Sequence, residues 1–370
     1  MSHHNITFSK EELERYSRHL IIPEFNIEGQ KKLKASSVLV IGSGGLGSPL
    51  LLYLAAAGVG RIGIVDFDTV DVSNLQRQVL FGIQDVGVSK AVAASKRLAS
   101  LNPHISIEVH DTMFTAENAR KLIKQYDVVA DGTDNFPTRY LVNDACVLED
   151  KVNVYASIFR FEGQASVFNE LLPDGTRGPN YRDLFPSPPP PGLVPSCAEG
   201  GVIGVLPGIL GSIQALEVLK VISGIGDTLS GRLFLFDATG FTTRILKVRK
   251  NKNNPLNGEN PTQTKLINYE QFCGLSVISE QPREVAEISV SELDKWRKEG
   301  VSHLLIDVRE PYEYGIVEIG GELIPLATVL ESTDRIPKDI PVVVQCRSGA
   351  RSASAIRQLE DTHGYTNLVN

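Results

Sequence analysis

The chain has 370 residues, enough for two or three domains, and its apolar content of 42% allows proper cores to be buried. Its net charge of -7 argues against nucleic acid as the main partner. No run of 18 apolar residues and no signal peptide is found, and the four cysteines stand far apart without a Cys-x-x-Cys pair. We therefore expect a protein of the reducing cytoplasm that is not inserted into a membrane.

The first part of the chain has the pattern of a nucleotide-binding α/β domain. An amphipathic helix is predicted over residues 9–25, and an apolar helix that Gly58 ends follows the glycine loop Gly42-x-Gly44-x-x-Gly47. Buried strands are predicted at Ser37–Ile41, Ile62–Asp66 and Asp127–Asp131. Such a strand–loop–helix–strand unit is typical of a Rossmann-like fold, in which a helix N-terminus meets ligand phosphates.

The glycine motif by itself fits any dinucleotide or nucleotide. Asp66 has the spacing of a carboxylate that grips a ribose hydroxyl, which on its own would indicate a nicotinamide dehydrogenase. Arg77 and Lys90 are more than hydride transfer needs, and they suit a triphosphate. Asp134 follows a strand at the ligand edge of the sheet and is a natural magnesium ligand. The group therefore predicts ATP with Mg²⁺.

The second part of the chain predicts a smaller α/β unit. A stiff proline loop over residues 186–191, a helix from Ile209 to Leu219 and a polar loop over residues 251–258 come before a linker near residues 280–283. From Ile288 onward, strands are predicted at Leu304–Val308 and Val342–Gln345. The chain stops at Leu368-Val369-Asn370, which reads as a final strand without a closing helix. We therefore expect domains at 1–280 and 285–370, the second incomplete at its C-terminal end.

Cys346 is the residue whose neighbours in the sequence most specifically indicate a chemical role. It ends a predicted strand and is followed by Arg347, Ser348, Gly349, Ala350 and Arg351, with a helix starting at about Ser352. Backbone N–H groups, two guanidinium charges and a positive helix end should all lower the pKa of this thiol. The Cys-x4-Arg spacing is one residue shorter than the loop with which cysteine phosphatases wrap a phosphate, so it suits a sulfur atom better. An inert cysteine would have no use for the two arginines.

Several segments in order resemble one enzyme family. Residues 9–275 resemble the adenylyltransferases that activate ubiquitin-like sulfur carriers, of the molybdopterin-synthase and thiamine-pathway type, and residues 285–370 resemble a rhodanese domain. The segments that carry the first resemblance are Glu14–His19, Asn74–Gln78, Gly132–Tyr140 and Cys197–Val202.

The resemblance implies specific roles for these residues. With the glycine motif, it predicts a nucleotide site of Gly42, Gly44, Gly45, Gly47, Asp66, Ser73, Asn74, Leu75, Gln76, Arg77, Lys90, Asp134 and Asn135. Arg18 in such enzymes reaches into the neighbouring subunit, which implies a homodimer. Arg77 and Asp134 would act in catalysis, Cys346 would carry a persulfide from a sulfur donor, and Cys197 either binds the activated carrier or has no chemistry. Cys146 and Cys273 are expected to be structural.

The chain departs from the family at the structural zinc. Many relatives hold this metal with two Cys-x-x-Cys pairs, whereas Asn180, Asp183, Asn254 and Asn257 stand at the corresponding positions here. These side chains suit a sulfur-type zinc site poorly, so we expect no zinc and loops held by packing and hydrogen bonds.

The predicted activity is ATP-dependent adenylation of the C-terminal glycine of a sulfur carrier, followed by sulfur transfer that gives a thiocarboxylate. Molybdopterin, thiamine and tRNA thiolation remain open as pathways. The alternatives are an enzyme that adenylates a tRNA base, which would need no sulfur-donor domain, a nicotinamide dehydrogenase, and a nucleotide-binding scaffold that delivers a carrier without catalysis.

Overall fold

The computed structural model describes residues 6–190, 201–274 and 285–370. The chain forms two compact units, Met1–Val277 and Ile278–Asn370. Each unit is built on its own sheet with helices beside it, which confirms the predicted α/β class.

The sheet of the first unit has eight strands in the order β3-β2-β1-β4-β5-β6-β7-β8. The strands are β1 (Ser37–Ile41), β2 (Arg61–Val65), β3 (Ser106–His110), β4 (Val128–Asp131), β5 (Val152–Phe159), β6 (Glu162–Phe168), β7 (Arg232–Asp237) and β8 (Thr242–Lys247). The first five in this order pair in parallel, and β6 to β8 extend the sheet by antiparallel pairing. The three predicted strands are confirmed, with shifts of one residue at the ends of β2 and at the start of β4.

The helices of the first unit cover both faces of this sheet. They are α1 (Lys10–Arg15), α2 (Ser17–Leu20), α3 (Asn26–Ala35), α4 (Gly47–Ala57), α5 (Lys90–Leu101), α6 (Ala119–Ile123), α7 (Phe136–Leu148), α8 (Tyr181–Leu184), α9 (Leu206–Ser223) and α10 (Tyr269–Phe272), with short 3₁₀ helices at Val72–Asn74 and Ile83–Asp85. Strand β1 is buried along its whole length, because α4 and α9 pack on one side and α7 on the other. A strand covered on both faces reads as a continuous apolar run, which is why the sequence revealed it.

Helix α9 contains the predicted Ile209–Leu219 helix and extends it at both ends. Among the described residues, α9 has the length and apolar composition of a membrane span, and half of this 18-residue window is buried within the unit. The buried Gln214 side chain donates hydrogen bonds to the carbonyl oxygens of Asp131 at 2.7 Å and Val154 at 2.8 Å. These contacts identify α9 as a core helix fixed to the centre of the sheet.

The single helix predicted over residues 9–25 is wrong in its extent. The chain breaks at Tyr16, whose ring is 4% exposed and whose hydroxyl accepts a hydrogen bond from Asn102 Nδ2 at 2.9 Å. The ring also packs against Gly58, where a Cβ atom would lie 2.5 Å from it. Tyr16 has φ -91° and ψ 8°, outside the helical region, so α1 ends there and α2 begins separately.

The second unit has a parallel sheet in the order β10-β9-β11-β12. Its strands are β9 (Leu304–Asp307), β10 (Glu322–Leu323), β11 (Val342–Gln345) and β12 (Leu368–Val369). Its helices are α11 (Val290–Glu299), α12 (Pro311–Ile316) and α13 (Ala350–His363), with 3₁₀ helices at Leu326–Glu331 and Thr333–Arg335. The two predicted strands and the short final strand are confirmed, while α13 begins two residues before the expected Ser352.

Candidate functional site

The glycine loop joins β1 to α4 at the carboxyl edge of the parallel strands. Gly42 has φ +86°, a left-handed conformation that disfavours residues with a Cβ. At Gly47 a Cβ would lie 2.0 Å from the carbonyl oxygen of Gly42, so this turn tolerates glycine alone. The geometry is the one that brings a helix N-terminus and a bare backbone close to a phosphate.

Asp66 fastens the glycine loop from the end of the neighbouring strand. Its Oδ2 accepts hydrogen bonds from the backbone N–H of Ser43 at 2.8 Å and from the Ser43 hydroxyl at 2.7 Å. Its Oδ1 accepts the N–H of Asp68 at 3.0 Å. The carboxylate predicted to bind a ribose therefore also holds the loop in shape.

A pocket opens beside the glycine loop at the carboxyl ends of β1, β2 and β4. The residues predicted for the nucleotide that line it are Gly42, Gly44, Gly45, Asp66, Arg77, Lys90, Asp134 and Asn135. Three separated sequence motifs thus meet in one place.

Two cationic side chains reach this pocket. The Lys90 side chain is 8% exposed, and its Nζ lies 3.0 Å from Oδ2 of Asp68, whose side chain is 52% exposed. Arg77 donates from Nη1 to the carbonyl oxygen of Ser73 at 3.0 Å. The buried ammonium group of Lys90 is therefore compensated by a carboxylate that is open to solvent.

Asp134 and Asn135 come from the loop that follows β4. Asp134 is exposed, and Asn135 is the N-cap of α7, since its side chain accepts the N–H of Thr138 at 2.9 Å. The loop is fixed from below by buried Asp131, whose Oδ1 accepts the N–H and the hydroxyl of Thr133 at 3.0 and 2.6 Å. Burial raises the pKa of the Asp131 carboxyl group. A rigid support thus presents the Asp134 carboxylate at the pocket.

Some predicted residues do not line this pocket. They are Gly47, Ser73, Asn74, Leu75, Gln76 and Arg18. Ser73 and Asn74 belong to a 3₁₀ helix capped by Asp71, which accepts the Ser73 N–H at 2.8 Å. The Asn74 carbonyl oxygen in turn accepts the N–H of Arg77 at 3.0 Å. In the described structure this segment therefore supports Arg77, and direct contact of its residues with the nucleotide stays a prediction.

The pocket is also lined by residues that were not predicted from the sequence, among them Asp68, Gln78, Thr133 and Arg139. Gln78 is 4% exposed, and its buried Oε1 has no hydrogen-bond partner among the described residues. A buried acceptor without a partner costs about 1–3 kcal/mol, so a ligand that satisfies it gains that amount. The sequence feature that could have identified Gln78 as a pocket residue is its position directly after Arg77 in the Asn74–Gln78 motif.

In the second unit, Cys346 follows β11 and its sulfur lies at the start of α13. The Gly349 N–H donates to Sγ at 3.2 Å, and the Ser352 hydroxyl lies 3.3 Å from it. Burial raises the pKa of the thiol, but hydrogen bonds from Ser352, Ser348 and Gly349 lower it by more. The expected lowered pKa is therefore confirmed in direction.

One part of the predicted cause of this lowered pKa needs correction: the backbone N–H groups are confirmed, but the two arginines are not the main contributors. Arg351 forms two hydrogen bonds with Glu313 of α12, at 2.6 and 2.7 Å, so its charge is largely compensated. Arg347 is exposed on the loop. Backbone N–H groups and the Ser352 hydroxyl, rather than the two guanidinium groups, are the main stabilisers of a thiolate here.

The remaining cysteines divide into two groups. Cys146 and Cys273 are 0% and 6% exposed, which confirms their expected burial. Burial raises the pKa of Cys146 well above its usual value and that of Cys273 to about 11, so both are poor nucleophiles at neutral pH. Cys197 lies outside the described residues.

The glycine loop with Arg77, Lys90 and Asp134, together with the Cys346 loop, defines a nucleotide-dependent enzyme joined to a sulfurtransferase. Residues 16–257 match the ThiF family and residues 289–370 match the rhodanese-like domain. The chain belongs to the ThiF family and carries a rhodanese-like domain. It is an adenylyltransferase and sulfurtransferase, and an adenylyltransferase uses ATP.

Two curated relatives and one solved structure illustrate the match. "Probable adenylyltransferase/sulfurtransferase MoeZ" of Mycobacterium tuberculosis is 50% identical over 98% of this chain and 91% of its own length. "Sulfur carrier protein adenylyltransferase" of Thermus thermophilus is 54% identical over 72% of this chain and 99% of its own. The crystal structure of Escherichia coli MccB is 20% identical with a TM-score of 0.59, covers 70% of this chain and 76% of its own, and shows a shared fold alone.

Proposed function

We propose that residues 1–280 use ATP to adenylate the C-terminal glycine of a ubiquitin-like sulfur carrier, and that residues 285–370 then supply the sulfur of a thiocarboxylate. The observation that carries this proposal is that Arg77, Lys90 and Asp134 line one pocket at the glycine loop, in a chain that also holds Cys346 with a lowered thiol pKa. The Thermus relative, which is named for a sulfur carrier, supports the choice of substrate.

The adenylation step needs positioning and charge stabilisation rather than a strong base. The carrier carboxylate attacks the α-phosphorus of ATP, and pyrophosphate leaves with the electron pair of the broken P–O bond. Arg77 and Lys90 offset the negative charge that develops on the phosphates. The phosphate has to displace Asp68 from Lys90, because both compete for the same ammonium group.

The pocket also suits a magnesium ion. Asp134 and Asp68 line it with carboxylate oxygens, and the buried Gln78 Oε1 has no partner among the described residues. Hard oxygen donors of this kind are the ones that Mg²⁺ prefers. Asp134 would hold the ion, which when bound would neutralise phosphate charge.

The sulfur step begins with a persulfide on Cys346, which a persulfide donor provides. Its terminal sulfur attacks the carbonyl carbon of the acyl adenylate, and AMP leaves. A thiol then attacks Sγ of Cys346, so that the carrier is released as a thiocarboxylate and the thiol becomes a disulfide with Cys346. Cys197 is a candidate for binding the activated carrier.

Two of the alternative functions predicted from the sequence are excluded or disfavoured, each for a different reason. The adenylyltransferase relatives exclude a nicotinamide dehydrogenase. Adenylation of a tRNA base would share the nucleotide site but would leave Cys346 without a task, and the net charge of -7 disfavours tRNA. Which carrier and which thiolation pathway the enzyme serves stays open.

Two substitutions separate the two steps. Asp134→Ala should abolish carrier-dependent exchange of pyrophosphate into ATP, because the charge on the phosphates is no longer neutralised. Cys346→Ala should leave that exchange intact and remove sulfur transfer from thiosulfate to cyanide. Weighing the carrier by mass spectrometry after incubation with ATP identifies the product. Undiminished exchange in the Asp134→Ala protein would remove the adenylation site from the proposal, and undiminished sulfur transfer without Cys346 would make the second unit a docking module.

A further inference from the structure

One buried hydroxyl group faces the sulfur of Cys346. Ser352 lies in the first turn of α13 with 0% of its surface exposed, and its Oγ is 3.3 Å from Cys346 Sγ. The same Oγ lies 3.0 Å from the carbonyl oxygen of Gly349 and is hydrogen-bonded to Oδ1 of Asn370. One hydroxyl proton therefore has three acceptors within reach.

The charge on Cys346 decides which acceptor receives this proton. A neutral thiol is a weak acceptor, so the Ser352 hydroxyl then donates to Gly349 or to Asn370. A thiolate is a far better acceptor, because hydrogen bonds to an ionised partner are roughly twice as strong as neutral ones. Ionisation of Cys346 therefore draws the proton of Ser352 to the sulfur.

The charged groups near this sulfur lie on three segments. Arg351 is on α13, Glu313 faces it from α12 at 2.6 and 2.7 Å, and Arg347 is on the loop itself. Because Glu313 compensates Arg351, the pair brings little net charge to the sulfur. Ser352, in contrast, brings a side-chain donor directly to Sγ.

We propose that Ser352 is a positioning residue of sulfur transfer, whose hydroxyl stabilises negative charge on Cys346 Sγ whenever that charge forms. This rests on the proposed function, in which Cys346 carries the sulfur. The charge is present when the thiolate attacks the outer sulfur of thiosulfate, whose S–S bond breaks as sulfite leaves with the electron pair. It forms again when cyanide takes the outer sulfur of the persulfide and the electron pair returns to Sγ.

The lowered pKa of the Cys346 thiol agrees with this geometry. Burial raises the pKa of Cys346, and the Ser352 hydroxyl is the largest of the contributions that lower it, followed by the backbone N–H groups of residues 352, 348 and 349. The net pKa lies below the usual thiol value, so the loop stabilises the thiolate relative to that of an ordinary cysteine.

The test is the pH dependence of iodoacetamide alkylation at Cys346 in the full chain, followed by mass spectrometry of the Cys346 peptide. Ser352→Ala should raise the midpoint by about one pH unit, the size expected for a lost hydrogen bond to a charged group. Ser352→Thr, which keeps the hydroxyl, should restore the parent midpoint. Ser354→Ala is the matched control, since the Ser354 hydroxyl on the same helix accepts only from Gln358 among its assigned hydrogen bonds.

A second variant leaves Ser352 in place. Asn370→Ala removes a competing acceptor, so the hydroxyl should donate to the sulfur more often and the midpoint should fall. The proposal is overturned if folded Ser352→Ala protein has the same alkylation midpoint as the parent protein. It is also overturned if the midpoint of Asn370→Ala is unchanged or raised. Failure of the proposed function would be seen in a different measurement. The Cys346→Ala protein would then still transfer sulfur, whatever the alkylation midpoints of the serine variants.

Discussion

At the scale of single residues, the ion pair of Glu313 and Arg351 compensates the positive charge that Arg351 would otherwise bring to the Cys346 loop. The two side chains meet through two hydrogen bonds, and this contact lowers the pKa of Glu313 to about 2. An ordinary glutamate has a pKa of about 4.3. The stabilisation from this pair is therefore present above about pH 4.3 and is lost as the pH falls toward 2.

Glu313→Gln should leave Arg351 as an uncompensated cation and should lower the pKa of Cys346. The expected result is faster alkylation of Cys346 below pH 8, opposite in sign to the effect of Ser352→Ala. Glu310→Gln is the matched control, because it removes the same charge from the N-cap of the same helix, where no ion pair with Arg351 is broken. A Cys346 midpoint that does not fall in the Glu313→Gln protein would show that the Arg351 charge does not reach the sulfur.

The sequence located the reactive groups better than it located their partners. Arg77, Lys90 and Asp134 were found because parallel strands bring their carboxyl ends to one edge, a property of the fold class. Asp68 and Glu313 were missed because their roles depend on which cation lies opposite in space. No local pattern records such a pairing, and this is also why Arg351 was expected to face the thiol unpaired.

At the scale of elements, a polar cluster joins α8 to the loop over residues 251–259. Asn254 is 1% exposed, and its Nδ2 donates to Asn180 Oδ1 at 3.2 Å and to Asp183 Oδ1 at 2.7 Å. Asn180 Nδ2 donates to Asn257 Oδ1 at 3.0 Å. The four positions expected to replace zinc ligands therefore do meet, and they satisfy one another by hydrogen bonds.

This cluster does not fit a structural zinc. Its amide groups donate and accept among themselves, whereas such a site needs thiolate or imidazole ligands. Elemental analysis of protein purified without added metal should show far less than one zinc per chain. A stoichiometric zinc signal that resists chelators would contradict this expectation.

Asn254→Ala should destabilise the first unit by about 2 kcal/mol, since it removes two hydrogen bonds to Asn180 and Asp183 and leaves the buried Leu256 N–H without its acceptor. Asn253→Ala is the matched control, because its side chain is exposed one residue earlier in the same loop. Calorimetry measures the change. Fluorescence of Trp296, the only tryptophan and part of the second unit, should be unaffected. Equal melting temperatures for the two variants would mean that packing alone holds the loop.

Strands were predicted correctly where their burial on both faces produces a continuous run of apolar residues. β1 and β11 are continuous apolar runs in the sequence and buried strands in the structure. The strands β5 to β8 were not predicted. They extend the sheet beyond the glycine-loop unit, first in parallel at β5 and then by antiparallel pairing, and β8 is exposed along its whole length. Helix α1 ends early for a reason that lies 86 residues away, in the hydrogen bond between Tyr16 and Asn102.

At the scale of the whole molecule, the nucleotide pocket described within one chain does not contain Arg18. The family resemblance of the Glu14–His19 segment implies that this side chain completes the site of a second copy. Composition and charge give no independent reason for a dimer, so the test has to detect exchange of function between subunits.

An Arg18→Ala protein and a Lys90→Ala protein should each be inactive in carrier-dependent pyrophosphate exchange, because each lacks one cation of the site. Mixing them should restore activity, since a hybrid dimer contains one site with both residues intact. If subunits assort at random, half of the dimers are hybrids with one intact site, so about a quarter of the parent activity per chain is expected. Arg15→Ala, mixed with Lys90→Ala, is the matched control, because Arg15 donates to Leu101 of its own chain at 3.0 Å. Hybrids that form, as shown by mass spectrometry of the intact dimer, but stay inactive would place Arg18 outside the partner's nucleotide site.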